Sequence, residues 1–547
     1  AQVGELAKGI LFAILADQMK LFSPASRRRF IGTAFTGGVS LLSSAWSSAK
    51  EGASASVLSR VSPESEGLAG RHVIDFIDAM GAAGHELHGL MILRNGNVIA
   101  EGWADPYGPK INHSMYSLSK SFTSTAIGIA VGEGLFEITD KVVSFFSDDA
   151  PDEISENLAV MEIRHLLMMS AGMAKSASSS VFNSENWVRA FLREPVLQQP
   201  GTTFDYNTAA TYMLSAIIQK VTGEKVIDFL SPRLFEKIGI VGPTWDECPL
   251  GINKGGFGLN INTEGLARFG QLYLQKGQWN GEQVVAEAWI NEATRKQIQQ
   301  EEDDNVNPDW QQGYGYQFWR CRHKAFRGDG AFGQFTIVIP EKQVVVVISS
   351  ESPSMQGELD LVWEHLLPHF QDEEQVSDKA EQSALKERLN TMAVPFLQGE
   401  SASKQSAIVS GRVIQFPANS LKLDTLKLEF NEGETKVSGT SAAKGDWEVA
   451  SEFREWRRGL MPVAISNSWL VSLGQTDEKG FSKVAVSGAW KEEATYEMVW
   501  RYYETPHHDL VRLRFDEDGA TLELFDSLSL RKGKVDKPKV TVRGAFL

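Results

Sequence analysis

Residues 116–124 read Tyr116-Ser117-Leu118-Ser119-Lys120-Ser121-Phe122-Thr123-Ser124, and Ala126, Ile127, Ile129, Ala130 and Val131 follow. Apolar residues on nearly every face predict a buried helix over residues 117–134. Ser117 and Lys120 stand three apart, on one face of that helix. A serine hydroxyl is a weak nucleophile until a base takes its proton. A lysine amine can be that base only when neutral, and burial lowers its pKa toward that state. The N-terminal end of a helix also favours a developing oxyanion. The same Ser-x-x-Lys spacing recurs at Ser47/Lys50, Ser383/Lys386, Ser401/Lys404 and Ser529/Lys532. None of those pairs opens a buried helix, and chance spacing accounts for them.

Working outward, residues 87–103 place two β-type runs around Asn95-Gly96, a dipeptide that favours the φ > 0 turn of a two-residue hairpin. Residues 209–222 and 264–276 read as helices, and residues 332–339 and 343–349 as a second strand pair. Strands that open and close a region with helices between them form an α+β pattern, not alternating βα units. Residues 372–407, rich in Glu, Lys, Gln, Ser and Ala, read as a helical or loose linker. Beyond residue 408 short strands recur at 423–430, 468–473, 482–490, 496–504, 510–515 and 520–525. That spacing suggests a sandwich or closed barrel. The predicted organisation is an N-terminal extension (1–55), an α+β domain (56–371), a linker (372–407) and an all-β C-terminal domain (408–547).

Several segments together carry a family resemblance: residues 98–103 and 116–124, Ile163-Arg164-His165-Leu166-Leu167, Pro200-Gly201-Thr202-Thr203-Phe204-Asp205-Tyr206, and Val221-Thr222-Gly223. In order and content they resemble the serine β-lactamase and penicillin-binding-protein superfamily, in its class C-like serine hydrolase branch, over roughly residues 60–370. The resemblance implies an antiparallel sheet flanked by a helical cluster, with Ser117 as nucleophile and Lys120 and Tyr206 moving its proton. The family's second box is Tyr-x-Asn; here Tyr206 is followed by Asn207 and Thr208, so Thr stands at the third position and Asn207 is the amide nearby. The third box, Lys/His-Thr/Ser-Gly, aligns with Gly328-Asp329-Gly330, where cation and hydroxyl are both missing. The resemblance assigns the oxyanion hole to the amides of Ser117 and Ala331. The missing cation argues against β-lactam hydrolysis, with Arg327 and Arg322 the substitutes at hand. Asp329 and Gly330 join Asn207 as candidate substrate-binding residues, Asp329 for a substrate ammonium. Some relatives carry a lipocalin-like barrel behind the hydrolase domain, which is the expectation for residues 408–547.

Other features bound the function. With 54 Lys+Arg against 70 Asp+Glu the formal net charge is −16, which opposes binding to nucleic acid. No run of about twenty uninterrupted apolar residues predicts a membrane span. Ser26-Arg27-Arg28-Arg29-Phe30-Ile31-Gly32, a mildly apolar stretch to Trp46 and the small residues near Ala49 and Ala55 form the three parts of an export signal. The paired arginines resemble a twin-arginine signal, and a periplasmic or extracellular location is expected. Met19 would make an ordinary start, with residues 1–18 read as upstream translation. Cys248 and Cys321 allow one disulfide at most.

Gly328-x-Gly330-x-x-Gly333 spells a dinucleotide fingerprint, but a strand-like run follows where a helix is required. His85-Glu86-Leu87-His88 has the wrong spacing for zinc, and His365/His369 lack evident partner ligands. His507-His508 read as solvated loop residues. Trp187, Trp245, Trp310 and Trp319 read first as core packing and second as an acyl pocket. No metal and no organic cofactor is expected. The preferred reading is a serine hydrolase acting on a small ester, amide or peptide. The competing readings are a non-catalytic, penicillin-binding-like ligand sensor, and a true β-lactamase or D,D-peptidase.

Overall fold

The computed structural model describes residues 58–173, 177–301, 307–376, 378–462, 476–478, 480–527 and 537–547. The export signal and the predicted strand at 468–473 lie outside the described residues. Strands β1 (Glu86–Arg94) and β2 (Asn97–Trp103) form the predicted hairpin, with Asn95 and Gly96 at φ 49° and 86°. Late in the domain come β3 (Trp319–Arg320), β4 (Phe326–Gly330), β5 (Gln334–Ile339) and β6 (Val344–Glu351). Among the described residues these make one antiparallel sheet in the order β2-β1-β6-β5-β4-β3. The first and last parts of the domain therefore meet at its centre, Leu90 opposite Ile348 and Ile92 opposite Val346.

Side chains alternate across a strand, and both faces here are covered. Leu90, Ile92, Val344, Val346 and Ile348 enter the core under helix α1 (Gly70–Ala82). Met91, Leu93, Val345 and Val347 enter the core built with α2 (Ser119–Gly132), α3 (Thr208–Thr222) and α4 (Thr263–Leu274). This explains why residues 344–348 are apolar without alternation. Helix α2 starts two residues later than its predicted bound. Tyr116–Leu118 form a 3₁₀ turn instead, with Tyr116 at φ 47°. Ser117 thus sits on the tight turn that feeds the buried helix.

The linker contains helix α5 (Lys379–Asn390), whose Leu385 joins the α1 core and whose Arg388 Nε donates to Asp78 at 2.8 Å. After it come β7 (Val413–Gln415), β8 (Thr425–Phe430), β9 (Glu434–Thr440), β10 (Trp447–Glu452), β11 (Arg457–Pro462), β12 (Phe481–Glu492), β13 (Thr495–Arg501), β14 (His508–Phe515), β15 (Gly519–Asp526) and β16 (Val540–Phe546). Among the described residues nine of these close into a barrel, the ring completed where β10 meets β12 at Glu452 and Ser487. Strand β11 pairs along the rest of that β12 edge. Leu426, Leu428, Val437, Val484, Val486, Val511, Leu513 and Leu522 fill the interior. Ala485 and Val499 alternate outward and join the core of the sheet domain together with Trp456 and Tyr503. The barrel is consequently welded to the sheet domain by apolar packing as well as by the polar contacts below. No helix among the described residues is long and apolar enough to cross a membrane.

Candidate active site

The structure brings Ser117, Lys120 and Tyr206 together. Lys120 is 1% exposed. Its Nζ lies 3.0 Å from Ser117 Oγ, 2.7 Å from the Gly256 carbonyl oxygen and 3.3 Å from Thr208 Oγ1. It also lies 5.0 Å from the centroid of the Tyr206 ring. Burial pulls the ammonium down to about 7, against the upward pull of the Asp329 carboxylate. A neutral amine has two N–H groups and one lone pair. With the N–H groups turned to Gly256 and Thr208, the lone pair faces the Ser117 hydroxyl. That arrangement can accept the serine proton near neutral pH.

Tyr206 is 36% exposed as a residue, yet its phenol is held above its ordinary pKa. Burial is the largest cause and the Asp329 charge adds to it, while a hydrogen bond with Ser117 and the Arg327 charge pull the other way. The hydroxyl therefore keeps its proton and can pass one on, but does not serve as a phenolate base. Asn207 is placed at the N-cap of α3: Oδ1 accepts from the amides of Ala209 (2.9 Å) and Ala210 (3.3 Å) and from Ser178 Oγ (3.1 Å). Its oxygen closes the helix end and its nitrogen lies 3.8 Å from Met173 Sδ, so both polar atoms already have partners within the protein. Asn followed by Thr-Ala-Ala is a cap signature that the sequence carried. Thr208, which departs from the Tyr-x-Asn pattern, is the residue that reaches Lys120.

The third-box segment forms the end of β4 and its turn into β5, a hairpin rather than a dinucleotide loop. A Cβ at Gly328 would lie 2.9 Å from Ser121 Oγ and 3.3 Å from Leu118 Cγ. A side chain there would need the Ser121 hydroxyl and the Leu118 side chain to give way, in keeping with a glycine where the family carries its cation. A Cβ at Gly330 would lie 2.1 Å from the Met115 carbonyl oxygen. This close approach sets the turn bearing Ala331 against the turn bearing Ser117. Gly330→Ala must push the two apart. We expect kcat to fall about 10²-fold, the scale of losing one oxyanion donor, read on any ester the wild type turns over.

Asp329 is 7% exposed and pairs with the fully buried Arg327, Nη2 to Oδ2 2.9 Å and Nε to Oδ2 3.0 Å. Its carboxylate is thus engaged inside the protein rather than presented alone to a substrate ammonium. Arg322 binds Asp309 at 2.8 Å and also Asp360. Trp310 and Trp319 surround Arg327, and Trp319 stacks on Tyr206 at 5.5 Å, so these two line the site region. Trp187 and Trp245 belong to the core. Cys248 and Cys321 are both free and buried, Cys248 Sγ 3.4 Å from Tyr212 Oη and Cys321 accepting from Arg327 at 3.0 Å.

One reading is corrected outright. His507 is 3% exposed and His508 partly buried, and both bond Glu351 through Nδ1 at 3.1 Å. They are interior residues between barrel and sheet domain, not solvated ones.

A half-buried serine beside a buried lysine, a tyrosine next to them and a sheet edge packed on the nucleophile turn define a serine hydrolase site of the β-lactamase type. The Beta-lactamase family model matches residues 73–367, more than half of the chain. The chain belongs to that family and is a serine hydrolase of the β-lactamase-related superfamily. The 6-aminohexanoate-dimer hydrolase of Paenarthrobacter ureafaciens is 24% identical over 291 residues, spanning 48% of this chain and 72% of the relative. The octameric penicillin-binding protein homologue of Pyrococcus abyssi is 15% identical, with 83% of this chain and 97% of that one covered at a TM-score of 0.45. EstCE1, a hydrolase with promiscuous acyltransferase activity, is 15% identical, with 54% and 98% covered at a TM-score of 0.44.

Proposed function

We propose that this enzyme hydrolyses a small ester or amide through an acyl-enzyme on Ser117, as an esterase or an amidase/peptidase. The observation that carries this reading is the Lys120 amine, buried and 3.0 Å from Ser117 Oγ. Oγ attacks the carbonyl carbon while its proton passes to Lys120 Nζ. The resulting oxyanion is held by the amides of Ser117 and Ala331. The Lys120 ammonium, with Tyr206 O–H as relay, then gives the proton to the departing oxygen or nitrogen, and the C–O or C–N bond breaks. Water attacks the acyl-enzyme, Lys120 takes its proton and returns it to Oγ, and the acid is released. The 6-aminohexanoate-dimer hydrolase supports the amide side of this reading. The β-lactam branch is disfavoured by Gly328 in place of the cation and by the enclosure of Arg327 with Asp329.

Intact-mass spectrometry after incubation with a fluorophosphonate tests the proposal. One adduct is expected on the wild type and none on Ser117→Ala, and a parallel penicillin incubation should leave the mass unchanged. A folded wild type that takes no adduct would defeat the acyl-enzyme mechanism and favour a ligand sensor.

A further inference from the structure

A turn of the C-terminal barrel reaches the residue before the nucleophile. Residues 502–507 join β13 to β14 and make three polar contacts with the segment that leads to Ser117. The Ser114 amide donates to the Glu504 carbonyl at 2.9 Å, and the Tyr107 hydroxyl donates to the Thr505 carbonyl at 3.0 Å. Tyr116 Oη lies 2.6 Å from His507 Nε2. Tyr116 immediately precedes Ser117, is 2% exposed and holds φ at 47°. That left-handed conformation is costly for an aromatic residue and persists where the surroundings impose it.

The same imidazole packs edge-on against Phe332, centroids 4.7 Å apart. Phe332, at φ 71°, immediately follows Ala331. Tyr116 and Phe332 also meet each other, at 5.0 Å and 77° between planes. One ring therefore supports the residue before Ser117 and the residue after Ala331.

The orientation of that ring is fixed from behind. His507 Nδ1 lies 3.1 Å from Glu351 Oε1, which also accepts from Ser527 Oγ at 2.6 Å, while Oε2 bonds His508 Nδ1 at 3.1 Å. Burial raises the Glu351 carboxyl, but the hydrogen bonds with His507 and His508 outweigh it and hold the group well below the usual carboxylate range. A carboxylate only accepts, so His507 carries a proton on Nδ1, and its Nε2 is the atom hydrogen-bonded to the Tyr116 hydroxyl.

We propose that His507, supplied by the barrel, is a positioning residue of the hydrolase site, holding the Ser117 and Ala331 amides in oxyanion-binding geometry through Tyr116 and Phe332. The inference rests on the acyl-enzyme reading above. His507 itself touches no reacting atom.

The test compares the full-length wild type with His507→Ala, Tyr116→Phe, the double variant and His507→Gln. Each is assayed for ester turnover and for the rate of fluorophosphonate labelling at Ser117. His507→Ala and Tyr116→Phe should each lower kcat about 10- to 100-fold, part of what losing one oxyanion donor costs, with KM moving less than about threefold. The double variant should be no worse than the poorer single one, because both break one chain of contacts. His507→Gln, whose amide oxygen can accept from Tyr116, should recover most of the loss. Tyr116→Phe removes a single oxygen and carries the test if His507→Ala does not fold. Wild-type kcat in folded Tyr116→Phe and His507→Ala, multiplying losses in the double variant, or an effect confined to KM would each overturn the inference. A wild type that takes no fluorophosphonate defeats the acyl-enzyme reading and this inference with it. A labelled wild type with an equally fast His507→Ala defeats this inference alone.

Discussion

Below pH of about 7 the kcat/KM of this enzyme should fall tenfold per pH unit, and above it the profile should level off. Burial brings Lys120 to about 7. Protonated, its Nζ has no lone pair for the Ser117 proton; above that pH the amine is free and the rate stops depending on it. An exposed lysine would place the same limb near pH 10. Lys120→Met should lower kcat/KM about 10³-fold, within the range attributed to a positioned general base. It should flatten the acid limb as well. The methionine fills the buried channel but leaves the Gly256 carbonyl and Thr208 hydroxyl without their partner, at a cost of about 1–3 kcal/mol. Stability should therefore drop modestly while activity nearly vanishes. A pH–rate profile of both proteins with one ester decides the matter. An acid limb near pH 10, or a Lys120→Met variant as active as the wild type, would remove Lys120 as the base.

The core of this site was legible because its signal is local. Ser117 and Lys120 stand one helical turn apart, and the apolar residues after them announce a helix that has to be buried. The central strands were legible for the same reason, since four consecutive valines at 344–347 fit a strand covered on both faces. What failed to show depends on tertiary contacts. The Gly256 carbonyl comes from 136 positions away, and nothing in a glycine pair names its partner. His507 and His508 sit in a polar stretch, and only the meeting with buried Glu351 takes them inside. In the barrel, β9 reads Glu434-Thr435-Lys436-Val437-Ser438-Gly439-Thr440, with one large apolar residue. Its inward position Gly439 is small because Trp447 fills the space, a Cβ there falling 2.3 Å from the indole. A strand whose partner supplies the bulk leaves little hydrophobic period to read.

Asp329→Ala should destabilise the folded chain by about 3–5 kcal/mol, the range for breaking one side of a buried ion pair. Arg327 has no exposed surface and cannot recover hydration when its partner is lost. Its remaining contacts include the Asp309 carbonyl at 2.9 Å, Cys321 Sγ at 3.0 Å and the faces of Trp310 at 4.2 Å and Trp319 at 5.7 Å. The Asp309 carboxylate also favours the Arg327 charge, but its oxygens bond Arg322, Gln356 and Trp363, so no direct ion pair replaces Asp329. Replacing both partners, Arg327→Met with Asp329→Leu, removes the stranded charge and should restore most of the stability. Urea unfolding of the single and double variants reads this directly, through the shift in midpoint at constant m. The comparison also separates two roles for Asp329. If its carboxylate held a substrate ammonium, the double variant would lose preference for amides bearing a free amine over neutral amides of equal length. The closed Arg327–Asp329 geometry leads us to expect that ratio of kcat/KM values to change less than about threefold. A stable double variant that discriminates tenfold less would return Asp329 to the binding site, with Arg327 as the group that orients it.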